Sequence, residues 1–308
     1  MRAYVSGASG FIGSHVVRAL REAGWEVGEQ FVDVGDVDGL GRAMKDADAV
    51  FHLAALYAFR GDPAEFARVN VAGTRNVLQA AHAAGVARVV YTSTCATCGP
   101  VPGRPATEED GPPVSELTVP YKATKLEAEQ LALIAARDGS DIVIVNPTTP
   151  VGEGDRAPTP TGRMVRGVAT GRFRAYLGGT GVNLVDVRDV ARGHLLAWER
   201  GRSGERYLLG GEDVTLGDAF AMIARSAGRR PPRLRVPYDA ARAAVALRLL
   251  NRHEVALARL PMWFSSEKAQ RELGYELGPV EAAVERAVGD VLGHTRRTRR
   301  AVSRAGVP

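Results

Sequence analysis

Residues 1–13 read MRAYVSGASGFIG, and the order of residue types in that stretch decides the fold. Arg2–Ser6 is a short, largely apolar run suited to a strand, and Gly7, Gly10 and Gly13 follow it without a gap. Ser14–Gly24, SHVVRALREAG, then places apolar residues at helical spacing and ends on glycine. A strand, a glycine turn and a helix in that order suit a dinucleotide pyrophosphate. Glycines permit the tight turn and close backbone approach, and unpaired amides at the positive helix end attract the phosphates. Phe11 and Ile12 complete the loop before the third glycine.

Further along, apolar runs recur at 49–55 (AVFHLAA), 88–94 (RVVYTST) and 141–147 (DIVIVNP). Helix-like stretches separate them at 74–85 and 122–139. This alternation implies an α/β fold with a doubly wound parallel sheet. Residues 1–150 are therefore read as a dinucleotide-binding domain. The Pro/Gly-rich stretch 151–162 loosens the alternation, so 151–290 is read mainly as a small substrate lobe, with some segments returning to the core. Residues 239–260 carry apolar faces at helical spacing, and ELGYE near Tyr275 reads as a helix end.

A dinucleotide site places an acidic residue about 20 positions downstream, and Asp33 follows Gly13 at that interval. Yet Trp25–Asp48 must hold everything between the first helix and the next apolar strand, which is too little for two strands and two helices. One strand–helix unit near residues 27–36 is expected to be missing, with a shortened sheet edge beside the adenosine. Asp33 is either the ribose acid, which favours NAD, or a third-strand aspartate touching the adenine amine. In the second case the residues that separate NAD from NADP are absent. The cofactor is NADP or NAD with the preference open, and weakened retention is expected.

The chemistry centres on YKATK, where Tyr121 and Lys125 are four residues apart and project from one helical face. An ammonium beside the phenol is expected to lower its pKa, so that Tyr121 can exchange a proton with a substrate oxygen. The strand at 88–94 ends in hydroxyl-bearing residues; Thr94 is expected to hold that oxygen, with Ser93 the neighbouring alternative.

Composition excludes other classes. The formal charge of +5 owes much to Arg296, Arg297, Arg299, Arg300 and Arg304, in a stretch 291–308 read as a basic, disordered tail that could touch an anionic surface. No apolar run approaches the roughly 18 residues of a membrane span, and no nucleic-acid partner is expected. The N-terminus leaves no room for a secretory leader, which points to the cytoplasm. Cys95 and Cys98 do not complete a zinc site, so no metal is expected and the thiols are read as reduced.

These stretches, with NVAGTRNVLQAA, YKATKLEAE, VIVNPTTPVG, PTPTGR, NLVDVRDVARGHLLA and GERYLLGGE, resemble extended short-chain dehydrogenase/reductases of the NAD-dependent epimerase/dehydratase superfamily. Within it the chain is most similar to the hopanoid-associated sugar epimerase group and to dihydroflavonol 4-reductases. The resemblance implies a Rossmann fold, with Thr94, Tyr121 and Lys125 as the catalytic set and Lys125 also holding the nicotinamide ribose. It implies that Leu53, Ala54 and Ala55 line the cofactor, that Asn70 steadies the active-site helix, and that Pro147 and Thr148 lie against the nicotinamide. It also implies a homodimer through the helix that begins at Tyr121.

Two departures stand out besides the contraction: Ser6 replaces a glycine-turn threonine, and Val182 stands where nucleotide-sugar members carry an arginine. Arg163, Arg166, Arg172 and Arg174 remain as cations that could serve an anion. The leading expectation is an oxidoreductase moving a hydride between nicotinamide and a ketone or secondary alcohol of a small molecule, a lipid or a secondary metabolite. A nucleotide-sugar epimerase or dehydratase is the alternative, and a cofactor-deficient binding protein the second.

Overall fold

The computed structural model describes residues 1–28, 31–58, 61–246, 255 and 259–304. Its centre is a six-stranded parallel sheet in the order β2-β1-β3-β4-β5-β9. The strands are β1 (Arg2–Ser6), β2 (Glu26–Val27), β3 (Ala49–His52), β4 (Arg88–Thr92), β5 (Ile142–Pro147) and β9 (Arg206–Leu209). Strands β3, β4 and β5 are buried at every position except Arg88, as a sheet covered on both faces requires.

One face is covered by α1 (Phe11–Glu22), α7 (Val187–Arg200) and α10 (Glu267–Leu273), whose Val16, Leu20, Val190, Ala269 and Leu273 meet Val5, Phe51, Val90 and Val145. Gly274 ends α10 in the left-handed conformation (φ 70°), which explains the helix end read near Tyr275. The other face carries α2 (Val37–Met44), α4 (Gly73–Ala83) and α5 (Pro120–Arg137), packed through Leu40, Met44, Val77, Ala128 and Ala132. Each fully buried leucine, valine or methionine contributes roughly 1.5–3 kcal/mol.

Among the described residues, β2 is the edge, and it pairs with β1 at only two positions, Arg2↔Glu26 and Ala3↔Val27. The strand–helix unit expected to be missing near 27–36 is thus absent among the described residues. The chain runs from Val27 to α2 without another described strand, and Val34 plugs the gap. Its side chain is buried against Gly73, where an added Cβ would come within 2.4 Å of it, and Asn76 Nδ2 donates to its carbonyl at 2.9 Å.

The smaller lobe joins β6 (Thr149–Val151), β8 (Gly181–Asp186) and β10 (Glu212–Thr215) into one sheet. A second pair is formed by β7 (Ala175–Leu177) and β11 (Leu234–Val236). Around them pack α6 (Pro160–Ala169), α8 (Leu216–Ser226) and α11 (Val280–Arg304), through Val165, Phe220, Ile223, Val284 and Val288. A short helix, α9 (Tyr238–Ala246), begins the apolar-faced stretch read over 239–260; positions 247–254 and 256–258 lie outside the described residues.

The sequence boundary at 290 falls inside α11. Residues 291–304, read as a disordered tail, continue this helix instead. Val291 and Leu292 extend its apolar face onto the lobe core, and arginines favour the negative end of a helix. Residues 305–308 lie outside the described set.

Candidate functional site

The glycine loop follows β1 directly. Gly7 has φ +73°, and a Cβ there would lie 2.7 Å from the Ala54 amide nitrogen; at Gly13 it would lie 2.0 Å from the Gly7 carbonyl oxygen. Side chains are excluded because β1, α1 and the end of β3 meet here backbone to backbone. Gly10 caps α1 with no side chain bonded to the first-turn amides, and no acidic residue stands in that turn. A bare, positive helix end of this kind fits a pyrophosphate. Phe11 and Ile12 open the helix, with Ile12 packed on the core and Phe11 edge-on to His15 at 5.9 Å.

Ser6 ties this loop to β3. Its hydroxyl oxygen accepts from the amides of Leu53 (3.2 Å) and Ala54 (3.3 Å) and bonds His52 Nδ1 at 2.7 Å. Burial holds His52 neutral, pushing its pKa down to about 3, with the Lys125 charge adding to that shift. With both amides donating to Ser6, its proton goes to His52 Nδ1. Nε2–H then points to Thr74 Oγ1 (3.0 Å), which donates to the Asn70 carbonyl (2.7 Å). Leu53 and Ala54 therefore abut the loop, while Ala55 is exposed beyond them.

Asn70 sits in a π-helical turn, Ala67–Ala72, between the one-turn helix α3 (Pro63–Phe66) and α4. Such turns re-aim a side chain. Asn70 Oδ1 accepts from the Leu56 amide (2.8 Å), and Nδ2 donates to the Leu56 carbonyl (3.2 Å) and to Thr124 Oγ1 (3.1 Å). It thus links the loop after β3 to α5 at Thr124, a position between Tyr121 and Lys125.

Pro120 starts α5 at a position where its missing N–H costs nothing. Tyr121 is buried beside Thr94, and its ring meets Tyr57 at a centroid distance of 4.7 Å. Thr94 caps a tight turn, Cys95–Thr97, after β4. Lys125 Nζ donates to the Tyr91 hydroxyl (2.8 Å) and the Thr92 carbonyl (2.7 Å). Burial pushes Lys125 down to about 7, with Glu129 working against that shift.

The expected acidification of Tyr121 by Lys125 is not what this geometry gives. Burial raises the phenol's pKa, the neighbouring Thr94 opposes the rise, and the Lys125 ammonium is committed to Tyr91. Neither thiol of the neighbouring turn is activated, since burial pushes Cys95 up to about 12 and Cys98 higher still.

Pro147 and Thr148 lie at the end of β5, beside the end of β4, and Thr148 Oγ1 is buried without a hydrogen-bond partner. An orphaned hydroxyl at the carboxyl edge of the sheet fits a polar ligand group. Ser93 is buried, its amide bonded to the Val145 carbonyl (2.8 Å). Asp33 stands apart on the shortened edge, where Oδ1 accepts from the Gly35 amide (2.7 Å) and from Arg68 (3.4 Å).

Sequence reasoning passed over Tyr57, Tyr91 and above all Glu129. Glu129 is fully buried, and its Oε2 accepts from Thr97 Oγ1 and Asn146 Nδ2, both at 2.7 Å, while Oε1 accepts from Arg206 (3.1 Å). Asn146 Nδ2 also lies 3.1 Å from the Thr94 carbonyl, so this carboxylate braces the Thr94 turn. The signal was present: Glu129 is four residues beyond Lys125, on the same face of α5. Val182, at the position of the absent arginine, bridges to Met262. Its neighbour Asn183 is spent on Asp213 (2.6 Å), the Gly211 amide (2.8 Å) and the Phe264 carbonyl (3.2 Å).

Among known proteins, a Synechocystis protein named a putative dihydroflavonol 4-reductase is 38% identical over 92% of this chain and 93% of its own. The 4-hydroxy-2-methyl-3-oxo-4-farnesyl-3,4-dihydroquinoline-1-oxide ketoreductase of Stigmatella aurantiaca is 34% identical, over 89% and 92%. The structure of a Thermus thermophilus UDP-glucose 4-epimerase in complex with NAD superposes with a TM-score of 0.78 at 26% identity, covering 95% of this chain and 99% of that one. The family model for NAD dependent epimerase/dehydratases matches residues 3–210, from within β1 to just past β9. That span takes in every strand of the main sheet, and the chain belongs to the NAD dependent epimerase/dehydratase family.

Proposed function

We propose that this chain is a reductase that moves a hydride between nicotinamide and a ketone or secondary alcohol of a small lipid-like or secondary metabolite. Family membership makes it an oxidoreductase that uses NAD or NADP. The observation that carries the finer reading is Tyr121, a phenol kept protonated by burial and set beside the Thr94 hydroxyl. A protonated acid suits the reductive direction.

When bound, the nicotinamide supplies or takes the hydride at the substrate carbon. In reduction Tyr121 gives its proton to the carbonyl oxygen as the new C–H bond forms, so the ketone gains one hydride and one proton and leaves as an alcohol. Thr94 orients that oxygen beside the phenol. Lys125 lies at the same end of the sheet, where the one ammonium hydrogen not given to Tyr91 and Thr92 is left to hold the nicotinamide ribose. Val182 supports a substrate with little charge, because a diphosphate has no cation waiting at that position. The 34% identical ketoreductase supports the same direction.

The test is a Tyr121→Phe variant assayed on a panel of hydrophobic ketones with NADPH and NADH. Turnover should fall at least about 10²-fold, while calorimetric binding of the dinucleotide stays within about twofold. Wild-type protein should consume reduced cofactor one for one with ketone. Turnover without net consumption would point to an epimerase, and unchanged turnover in the variant would remove Tyr121 from the mechanism.

A further inference from the structure

Two segments of the smaller lobe are rich in one charge. Residues 163–178 hold Arg163, Arg166, Arg172 and Arg174, and residues 224–236 hold Arg225, Arg229, Arg230, Arg233 and Arg235; neither contains an aspartate or glutamate. The fold brings them together. Strands β7 and β11 pair in parallel, with Leu234 opposite Ala175 and Arg235 opposite Tyr176, so Arg174 and Arg233 flank the pair at the same end. The Arg229 guanidinium lies against Gly171, where an added Cβ would be 2.9 Å from it, next to Arg172.

Arg172, Arg174, Arg229, Arg230, Arg233 and Arg235 are all exposed. Among the described residues no ion pair is formed by any of them, whereas the arginines on the main-sheet side pair freely with Glu153, Asp141 and Glu272. Gathering like charges without counter-charges raises the local potential and has no structural return inside the lobe. Set among these arginines are two large apolar side chains, Leu234 at 63% exposure and Phe173 at 42%.

From this juxtaposition we infer that the β7–β11 face docks on an anionic lipid bilayer. Guanidinium groups meet lipid phosphates, and Leu234 with Phe173 enters the boundary between headgroups and acyl chains. An exposed leucine and phenylalanine among the arginines suit the headgroup–acyl boundary, where apolar and cationic side chains are both accommodated. The face also differs from the basic end of α11, which carries its own arginines elsewhere in the chain.

The full-length protein is sedimented with vesicles of phosphatidylcholine alone and of phosphatidylcholine with phosphatidylglycerol, at low and at physiological salt. Binding should require the anionic lipid and weaken as salt rises. The Arg229→Gln/Arg230→Gln/Arg233→Gln/Arg235→Gln variant should lose about fivefold in partitioning for each arginine removed. Leu234→Ser should lower binding at physiological salt, where the apolar contact carries more of the affinity, and it keeps the proposal testable if the quadruple variant does not fold. Thermal melts check folding of both. Equal binding to neutral vesicles, no binding at low salt, wild-type binding by the quadruple variant, or tighter binding to a duplex oligonucleotide than to anionic vesicles would each overturn the inference.

Discussion

The Lys125 ammonium lies 2.8 Å from the Tyr91 hydroxyl, and Tyr91 is itself fully buried in β4. The phenol accepts from the charged amine and so favours the ammonium against a burial that already brings its pKa to about 7. Tyr91→Phe removes that acceptor. A hydrogen bond to a charged group contributes about 1.5–3 kcal/mol, so the alkaline limb of the pH–rate profile should move to lower pH by about one unit. An unmoved limb would leave Tyr91 with a packing role only.

Stability should fall on acidification. His52 and His194 are buried, with pKa values pushed down to about 3 and about 4 from 6.5. Below pH 6.5 the unfolded chain binds protons that the folded chain refuses, so stability declines as pH drops from 6.5 toward 4. Lys125 acts in another window: the unfolded amine holds its proton to about 10.5 and the folded one only to about 7, so stability rises between those values. Urea midpoints measured from about pH 4 to about pH 10 report both slopes. His194→Asn should flatten the acid one, whatever it does to the height of the curve.

Glu129, fully buried, pairs with the largely covered Arg206, and its carboxylate also holds Thr97 and Asn146. Removing one partner of such a pair costs about 3–5 kcal/mol, because the other is left buried and uncompensated. Glu129→Ala should be destabilised by about that much in denaturant unfolding. Glu129→Ala combined with Arg206→Met should recover part of the loss. Equal losses in the single and double variants would mean that the contacts to Thr97 and Asn146 carry the effect.

Gly10 and Gly13 should separate cofactor binding from folding. A Cβ on Gly13 meets backbone at 2.0 Å and on Gly10 at 3.1 Å. Gly13→Ala should therefore lower the melting temperature markedly. Gly10→Ala should keep most of the stability and lose at least about tenfold in dinucleotide affinity, read by calorimetry.

The two-residue edge strand should leave the adenosine half poorly discriminated. Dissociation constants for NAD and NADP are expected in the micromolar range and within about tenfold of each other. Nanomolar binding of either would show that Asp33, Arg68 and their neighbours replace what the contraction removed.

Legibility followed the range of the forces involved. The glycine loop, the strands at 49–55, 88–94 and 141–147 and the YKATK helix are local patterns, and each lies in the structure where its spacing puts it. The missing strand was legible too, because chain length between Trp25 and Asp48 bounds what can be built there. Partnerships between distant elements were not legible. Lys125 faces Tyr91 rather than Tyr121's hydroxyl because the sheet stacks β4 beneath α5, and no spacing along the chain encodes that. The end of α11 was misread for a related reason: Val291 and Leu292 have meaning only against the lobe core they extend.

Glu153, just past β6, receives Arg188 from α7 at 2.7 Å and Arg286 from α11 at 3.1 Å, with Arg18 of α1 at 3.6 Å. The carbonyl of the same residue meets His15 Nε2 at 2.9 Å. Elements of both lobes are thus knotted on a single carboxylate beside the glycine loop. A hinge between the lobes would have to undo these contacts together.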